Sequence, residues 1–320
     1  MKISVILCTY NRAHSIGAAL ESVLASVLPL GLEWEVLTVD NNSKDHTRAV
    51  ANEFCLRHPG RVRYLFEAQQ GLSNARNVGI REARGEIIAF MDDDVTVEPT
   101  WLQNLTASLH DGAWAGAGGR VRPSKDFTPP DWLTLDGGIM DSSGVLALFD
   151  VGTVAGELKK PPFGANMAFR KSMFEKYGGF RPDLGRCGSS LISNEDTEFG
   201  GRLLAAGERL RYEPSAVVYH PVPKERLNKK YFLAWWFAYG RAMFRQTGKR
   251  PPVWGIPRHY VSIVSRTLRW LACSRLDPKR RFFWKSRIWE AAGELFENYR
   301  SWQQGKNRQQ SETLLFGKYK

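Results

Sequence analysis

Glycine-rich phosphate cradles are missing from this sequence. Neither GxGxxG nor GxxxxGK[ST] occurs, which excludes the usual dinucleotide fingerprint and the P-loop. Cysteine is scarce: the four present, Cys8, Cys55, Cys187 and Cys273, form no CxxC pair and no metal-like spacing. Neither a disulfide framework nor a zinc site is indicated, and a reduced, cytoplasmic setting is expected. No apolar run approaches the roughly 18 residues of a membrane-spanning helix. The opening MKISVILCTYNR carries one Lys and a six-residue apolar core, too short for a secretory leader. Internal repeats and low-complexity tracts are also lacking, so solenoid and disordered architectures fall away.

What is there is a chain of 320 residues, 43% hydrophobic, enough for one or two packed domains. Its net charge of +12 is unevenly spread. Residues 224–320 hold 22 Lys and Arg against 6 Asp and Glu, a net of +16, which leaves −4 for residues 1–223. This shift, just ahead of a Trp-rich stretch, predicts a boundary near Pro221–Pro223. The expected layout is a catalytic domain over 1–222, with halves at 1–110 and 111–222, and a basic, aromatic-rich helical extension over 223–320.

Before that boundary, strand and helix patterns alternate. Ile3–Cys8, Glu35–Val39, Arg61–Phe66 and Ile87–Met91 read as strands. Helices are expected from a Ser15 cap to about Ser26, from Asp45 or Thr47 to about His58, and from Ser73 to Arg84 with Gly85 as the C′ residue. A βαβαβαβ order implies a mostly parallel α/β sheet with helices on both faces and right-handed crossovers. Ligands then bind beyond the carboxyl ends of the strands.

Polar residues follow three of those strands: Thr9-Tyr10-Asn11-Arg12, Asp40-Asn41-Asn42-Ser43 and Asp92-Asp93-Asp94. Each cluster alone reads as ordinary turn and capping chemistry. Three at one sheet edge point instead to a ligand. Adjacent carboxylates disfavour one another's ionised state, so the Asp triplet calls for a cation. With no glycine cradle to hold a diphosphate, a divalent Mg²⁺ or Mn²⁺ ion on these oxygens would neutralise it. Asp40 is expected to accept from a base N–H, and Arg76 to reach phosphate with its planar fork.

Four motifs in order, ISVILCTYNR, VDNNSKDHT, GLSNARNVGI and FMDDDVTVEPTWL, closely resemble the nucleotide-sugar domain of glycosyltransferase family 2, which has the Rossmann-like GT-A fold. The resemblance covers about residues 1–220. It implies nucleotide-sugar contacts from Thr9, Tyr10, Asn11, Arg12, Asp40, Asn42, Asn74, Arg76, Asp92 and Asp93. It identifies Asp92-Asp93-Asp94 with the family's DXD motif, whose first carboxylate approaches the ribose while Asp94 binds metal. Asp93 stands where the family commonly has a small or neutral residue.

PFGANMAFRKSMFEKYGGF, residues 162–180, resembles the family's acceptor-side strand and suggests Asn166 as an acceptor-binding residue. Gly185–Ser193 is glycine- and serine-rich and reads as a loop over the site or a plain surface loop. Asn194-Glu195-Asp196 opens a helix; on sequence physics alone these are an N-cap and dipole-favoured acids. The resemblance makes Asp196 the catalytic base and Glu195 a residue that positions the acceptor. His220, closing the strand-like AVVYHP, reads alone as a structural histidine. By resemblance it completes the metal site with Asp94 and Asp92.

The implied activity is a metal-dependent, inverting transfer of sugar from a nucleotide diphosphate sugar, UDP favoured, to a saccharide or lipid-linked acceptor in polysaccharide or glycolipid assembly. A sugar nucleotidyltransferase would need a glycine-rich basic N-terminal loop, which is lacking. A non-catalytic nucleotide- or carbohydrate-binding protein would not need both acidic groups. After the boundary, YFLAWWFAYGRAMFRQ has helical spacing, and PKRRFFWKSRIW sets aromatics among cations. Two readings stay open: basic amphipathic helices on an anionic membrane surface, peripheral on its inner face, or a helical cap with solvated charges. No nucleic-acid motif accompanies the basic residues, so no nucleic-acid partner is expected.

Overall fold

The computed structural model describes residues 2–135, 137–138, 140–248, 251–253 and 256–316, with side chains through 304. The chain forms two compact units, Met1–Ser190 with Asn194–Leu227, and Leu191–Ser193 with Asn228–Lys320.

The first unit begins with alternating elements: β1 (Lys2–Thr9), α1 (Ile16–Leu24), β2 (Glu33–Asp40), α2 (Thr47–Arg57), β3 (Val62–Phe66), α3 (Leu72–Glu82) and β4 (Ile87–Asp92). The four strands are parallel neighbours in the order β3-β2-β1-β4. Seven of eight β1 residues are buried, as expected for a strand covered on both faces. Chain direction across the sheet reverses between β1 and β4, so right-handed crossovers send α1 and α2 to one face and α3 to the other. Register brings Thr9 opposite Asp40 and Cys8 opposite Asp92, aligning three predicted loops at one edge.

Two caps differ from expectation. Ser15 makes no side-chain cap; the N–H groups of Ser15 and Ile16 both donate to Arg12 O instead, so the turn after β1 starts the helix. Gly85 is not a C′ residue, because α3 ends at Glu82 and Ala83 is already extended. Gly85 lies against β1, where its N–H donates to Ser4 Oγ at 2.8 Å and a Cβ would meet Ser4 N at 2.4 Å.

The remainder of this unit adds β5 (Thr96–Val97), α4 (Trp101–Ala107), β6 (Gly116–Pro123), β7 (Gly156–Glu157), β8 (Met167–Arg170), α5 (Lys171–Tyr177), α6 (Glu195–Ala205) and β9 (Leu210–His220). Here the sheet becomes mixed: β8 runs antiparallel to β4 and β6, β6 is parallel to β9, and the short β5 and β7 flank β9 in antiparallel pairing. Phe90, Phe169, Phe174, Phe180 and Phe199 form one aromatic cluster, with Phe174 stacked on Phe199 at 4.5 Å. This cluster clamps α6 onto the sheet and so fixes the acids in its first turn. Replacing Phe199 with Ala would cost about 3–5 kcal/mol through the cavity left behind.

The second unit contains α7 (Lys229–Thr247), α8 (Arg258–Ala272) and α9 (Pro278–Phe316). Asn228 caps α7, its Oδ1 accepting from Tyr231 N at 2.9 Å. α7 and α9 approach closely through small residues: a Cβ on Gly240 would lie 1.9 Å from Glu290 O, and one on Gly293 2.0 Å from Phe237 O. Buried Glu297 on α9 accepts from Arg241 and Arg245 of α7 at 2.7 and 2.8 Å, which pins that crossing. Among the described residues no helix is long and apolar enough to cross a membrane.

Candidate active site

The carboxyl ends of the strands gather the predicted acids. Asp92 ends β4, and Asp92, Asp94 and His220 each offer one ligand atom within 4.8 Å of the others. His220 ends β9; its Nε2 lies 3.8 Å from Asp94 Oδ1, and its buried Nδ1 has no hydrogen-bond partner. Two carboxylates and an imidazole form a mainly hard donor set that can hold a divalent cation of the Mg²⁺ or Mn²⁺ type. The site's own charges agree. Burial, then the neighbouring Asp94, push Asp93 up to about 7 against the Arg12 charge. Burial likewise raises Asp92, with Arg76 opposing and Asp94 adding to the shift. Arg12 lies 3.7 Å from both Asp93 and Asp94, too far to neutralise either fully.

A second acidic group meets the first through Arg76. The guanidinium Nη1 donates to Glu195 Oε1 at 2.5 Å, and Nη2 lies 3.6 Å from Asp92. The rings of Phe90 and Phe180 flank it at 5.8 and 5.4 Å. Arg76, expected to reach phosphate, is here a buried bridge between the two acidic groups, its side chain 4% exposed. Glu195, expected to position the acceptor, turns its side chain inward to Arg76, with Oε2 buried and without a hydrogen-bond partner among the described residues. Burial and the adjacent Asp196 raise its carboxyl, while Arg76 opposes.

Asp196 stays partly open. Its Oδ2 accepts from Gly164 N at 2.6 Å and Oδ1 from Thr197 N at 2.6 Å. Gly164 is required there because a Cβ would come within 2.3 Å of Arg76 Nη2. Asn194, the expected cap, sits in the left-handed region at φ 78° and its side chain does not cap α6.

Asn166, the residue expected to bind the acceptor, sits in the interior. It is fully buried, donating to Arg120 O and Ala216 O and accepting from Trp101 Nε1, all at 2.8 Å. It ties β6, β9 and α4 together and has no free polar atom for an acceptor. The loop after Phe180 is anchored at its start, since Ser73 Oγ donates to Leu184 O and Leu72 N donates to Arg186 O, both at 2.8 Å.

Beside the acids stands a wall of three interlocked loops. Asn11 and Asn42 adopt left-handed φ values of 53° and 68°, which asparagine tolerates. Asn11 accepts from Lys44 N at 2.7 Å, and Asn42 accepts from Lys44 Nζ at 2.7 Å. Tyr10 stands partly buried between Thr9 and that turn. Asn74 donates to Gln70 O at 3.1 Å, closing the loop before α3. Asp40 is 1% exposed, and Ser43 N and Tyr64 OH donate to its two oxygens at 2.9 and 2.8 Å. The contact expected from a base N–H is taken here by these two groups. Sequence reasoning missed Tyr64, Gly164 and Asn41. Asn41 accepts from Gly71 N and donates to Glu67 O and Gln69 O, holding the loops after β2 and β3 to the start of α3. Its place in VDNNS, beside the asparagine that was selected, is the signal that could have found it.

The model of the family described as Glycosyl transferase family 2 matches residues 4–178, more than half of the chain and the whole of the acidic edge up to β8. This chain is a member of glycosyl transferase family 2. The transferase is 29% identical over 253 residues to a glucosyl-dolichyl phosphate glucuronosyltransferase of Haloferax volcanii, covering 75% of this chain and 76% of that one. It is 27% identical over 236 residues to the succinoglycan biosynthesis protein ExoM of Rhizobium meliloti, covering 73% and 70%. A mannosyltransferase from Pyrobaculum calidifontis, solved with GDP-Man and Mn²⁺, superimposes with a TM-score of 0.62 at 20% identity, covering 92% of this chain and 86% of that one. At that identity the likeness is one of fold, and it makes the architecture of this glycosyltransferase GT-A.

Proposed function

We propose that this enzyme moves a sugar from a nucleoside diphosphate sugar, UDP favoured, to a hydroxyl of a saccharide or lipid-linked acceptor, with inversion at the anomeric carbon. The observation that carries the reading is the meeting of two acidic groups at one sheet edge. Asp92, Asp94 and His220 converge within 4.8 Å, and Asp196 is close enough for its charge to act on both Asp92 and Arg76. When bound, Mg²⁺ or Mn²⁺ there supplies positive charge to a departing diphosphate.

The chain's own groups do the rest. Thr9, Tyr10, Asn11, Asn42, Asn74 and Asp40 form the wall against which the nucleoside packs, and Arg12 is within reach of phosphate brought to the same carboxylates. Asp196 accepts the proton of the acceptor hydroxyl as that oxygen bonds to the sugar C1. The C1–O bond to diphosphate breaks, and its electron pair leaves on the phosphate oxygen. The N–H groups of Gly164 and Thr197 hold the base in one orientation, so little ordering remains to be done in the transition state. A single base opposite the leaving group makes this one displacement. The dolichyl-linked substrate in the name of the Haloferax relative supports a lipid-linked acceptor. Four free cysteines support a reducing, cytoplasmic compartment.

A thermal-shift panel of UDP, GDP, dTDP and their sugar conjugates, with and without Mn²⁺, tests the donor class, because ligand binding to the native state raises its melting midpoint. UDP conjugates with Mn²⁺ should give the largest rise. No response to any nucleoside diphosphate would overturn the donor class, and an anomeric proton signal of retained configuration in the product would overturn inversion.

A further inference from the structure

Among the described residues, one helix of the second unit has an apolar face that nothing covers. α8 buries no residue, and Tyr260, Val264, Leu268 and Leu271 recur at helical spacing with exposures of 49, 59, 61 and 61%. Leu276, just past the helix end, is 94% exposed. The opposite side of α8 is the one engaged with α9, where Arg266 Nη1 donates to Arg287 O at 2.6 Å and Nη2 lies 3.6 Å from Glu290. At 100° per residue, Arg266 is roughly 150° from the centre of the apolar stripe, so the stripe points away from that contact.

The charge around the stripe selects what can cover it. Between Pro257 and Trp289 the sequence holds nine Lys and Arg and a single acid, Asp277. Arg258, Arg275, Lys279 and Arg280 among them are exposed. A second copy of the chain seated on this face would bring the same cations against one another, which opposes self-pairing. A surface that is apolar below and anionic above matches both features.

We propose that α8 lies in the plane of an anionic phospholipid surface, with the Tyr260-Val264-Leu268-Leu271 stripe at the acyl boundary and the exposed Arg258, Arg275, Lys279 and Arg280, at and beyond its two ends, at headgroup phosphates. A strongly amphipathic helix with exposed cations at its ends binds in this manner, without spanning. The inference stands apart from the transfer chemistry, since it uses no residue of the acidic edge.

The test is flotation of the full chain with vesicles of phosphatidylcholine alone and with equimolar phosphatidylcholine and phosphatidylglycerol, at low and high salt. The wild type should float only with phosphatidylglycerol present and should release at high salt. Arg258→Gln with Arg275→Gln and Arg280→Gln should lower partitioning on the order of a hundredfold, from about fivefold per cation. Leu268→Glu with Leu271→Glu should abolish flotation while leaving helical circular dichroism and the melting midpoint unchanged. Because all five side chains are exposed, the cation triple keeps the test decisive even if the leucine pair disturbs folding. The proposal is overturned by a wild type that stays with the lipid-free fraction. It is equally overturned by flotation that ignores both sets of substitutions, or by a sedimenting dimer that the leucine pair dissociates.

Discussion

The two ends of one sheet treat a buried acid in opposite ways. At the amino end, Glu35 of β2 is fully supplied: Ser4 Oγ and Arg84 N donate at 2.8 Å and Arg63 Nη1 at 2.9 Å. Burial pushes its carboxyl up, but those hydrogen bonds and the Arg63 charge win and hold it below the usual range. At the carboxyl end, the nearest cations to Asp92, Asp93 and Asp94 among the described residues are Arg12 and Arg76, at 3.6 to 3.7 Å, with the His220 imidazole 3.8 Å from Asp94, and Asp92 and Asp93 are raised. The same fold therefore can neutralise a buried carboxylate and at one edge leaves the balance short. A shortage of positive charge confined to the ends of strands is what a cation-dependent site requires.

The contrast breaks most visibly at Asp94. Asp94→Asn should lower the transfer rate by about 10³ or more, the scale of losing one electrostatic stabiliser of a leaving group. The Mn²⁺-dependent rise in melting midpoint should vanish with it. The metal-free midpoint should hold or rise, because one of three crowded charges is gone. Labelled-donor transfer and calorimetry measure the two effects. A metal-free midpoint that collapsed as after a core lesion would mean the acids are structural, and the two ends would no longer differ.

Glu35→Gln should do the reverse. Its partners are left without their charge, at a cost of about 2–3 kcal/mol, since the Arg63 side chain keeps some contact with water. The native carboxyl is held below its unfolded value, so its contribution is full at neutral pH and is lost as pH falls through the native value. Urea unfolding of wild type and variant should therefore differ at neutral pH and converge as pH falls through the native value of this carboxyl. Transfer should be unchanged within about twofold, because no residue of the acidic edge touches this network.

Much of this was legible in the sequence, and what was not has a physical reason. β1 and β4 stand out because each is a nearly continuous apolar run buried along its length, while β2 and β3, which carry charged residues, stand out by their alternation with helices, and the ends of such strands must converge on one edge. The Asp triplet stands out by its own crowded charge, whereas Asp196 and His220 are singled out only through the family resemblance, since alone they read as a dipole-favoured acid and a structural histidine. The mixed half was less legible. β6, GAGGRVRP, lacks apolar bulk because Gly118 lies where a Cβ would meet Pro162 at 2.2 Å, a contact set by tertiary packing alone. The surroundings of Arg76 and Asn166 were illegible for a related reason: they are set by Glu195, 119 residues away, and by Trp101, 65 residues away. A side chain's type announces what it can bind, while burial and long-range partners decide whether it is free to do so.

Asp40 lies between the two extremes and gives the finest probe. It sits at the carboxyl end, yet Ser43 N and Tyr64 OH supply its oxygens much as Glu35 is supplied. Burial, then the Asp40 hydrogen bond and charge, raise the Tyr64 hydroxyl, so it remains a protonated donor at any working pH. Tyr64→Phe removes that donor and should cost about 1.5–3 kcal/mol in unfolding free energy, the scale of a single hydrogen bond to a charged group. It also releases one Asp40 oxygen. If Asp40 accepts from the base, the UDP dissociation constant measured by calorimetry should tighten or change less than about threefold, since the wall keeps its shape and gains an acceptor. A tenfold weakening would instead assign the nucleoside contact to the Tyr64 hydroxyl and leave Asp40 as a structural acid, placing that corner of the site with Glu35 rather than with the crowded carboxylates.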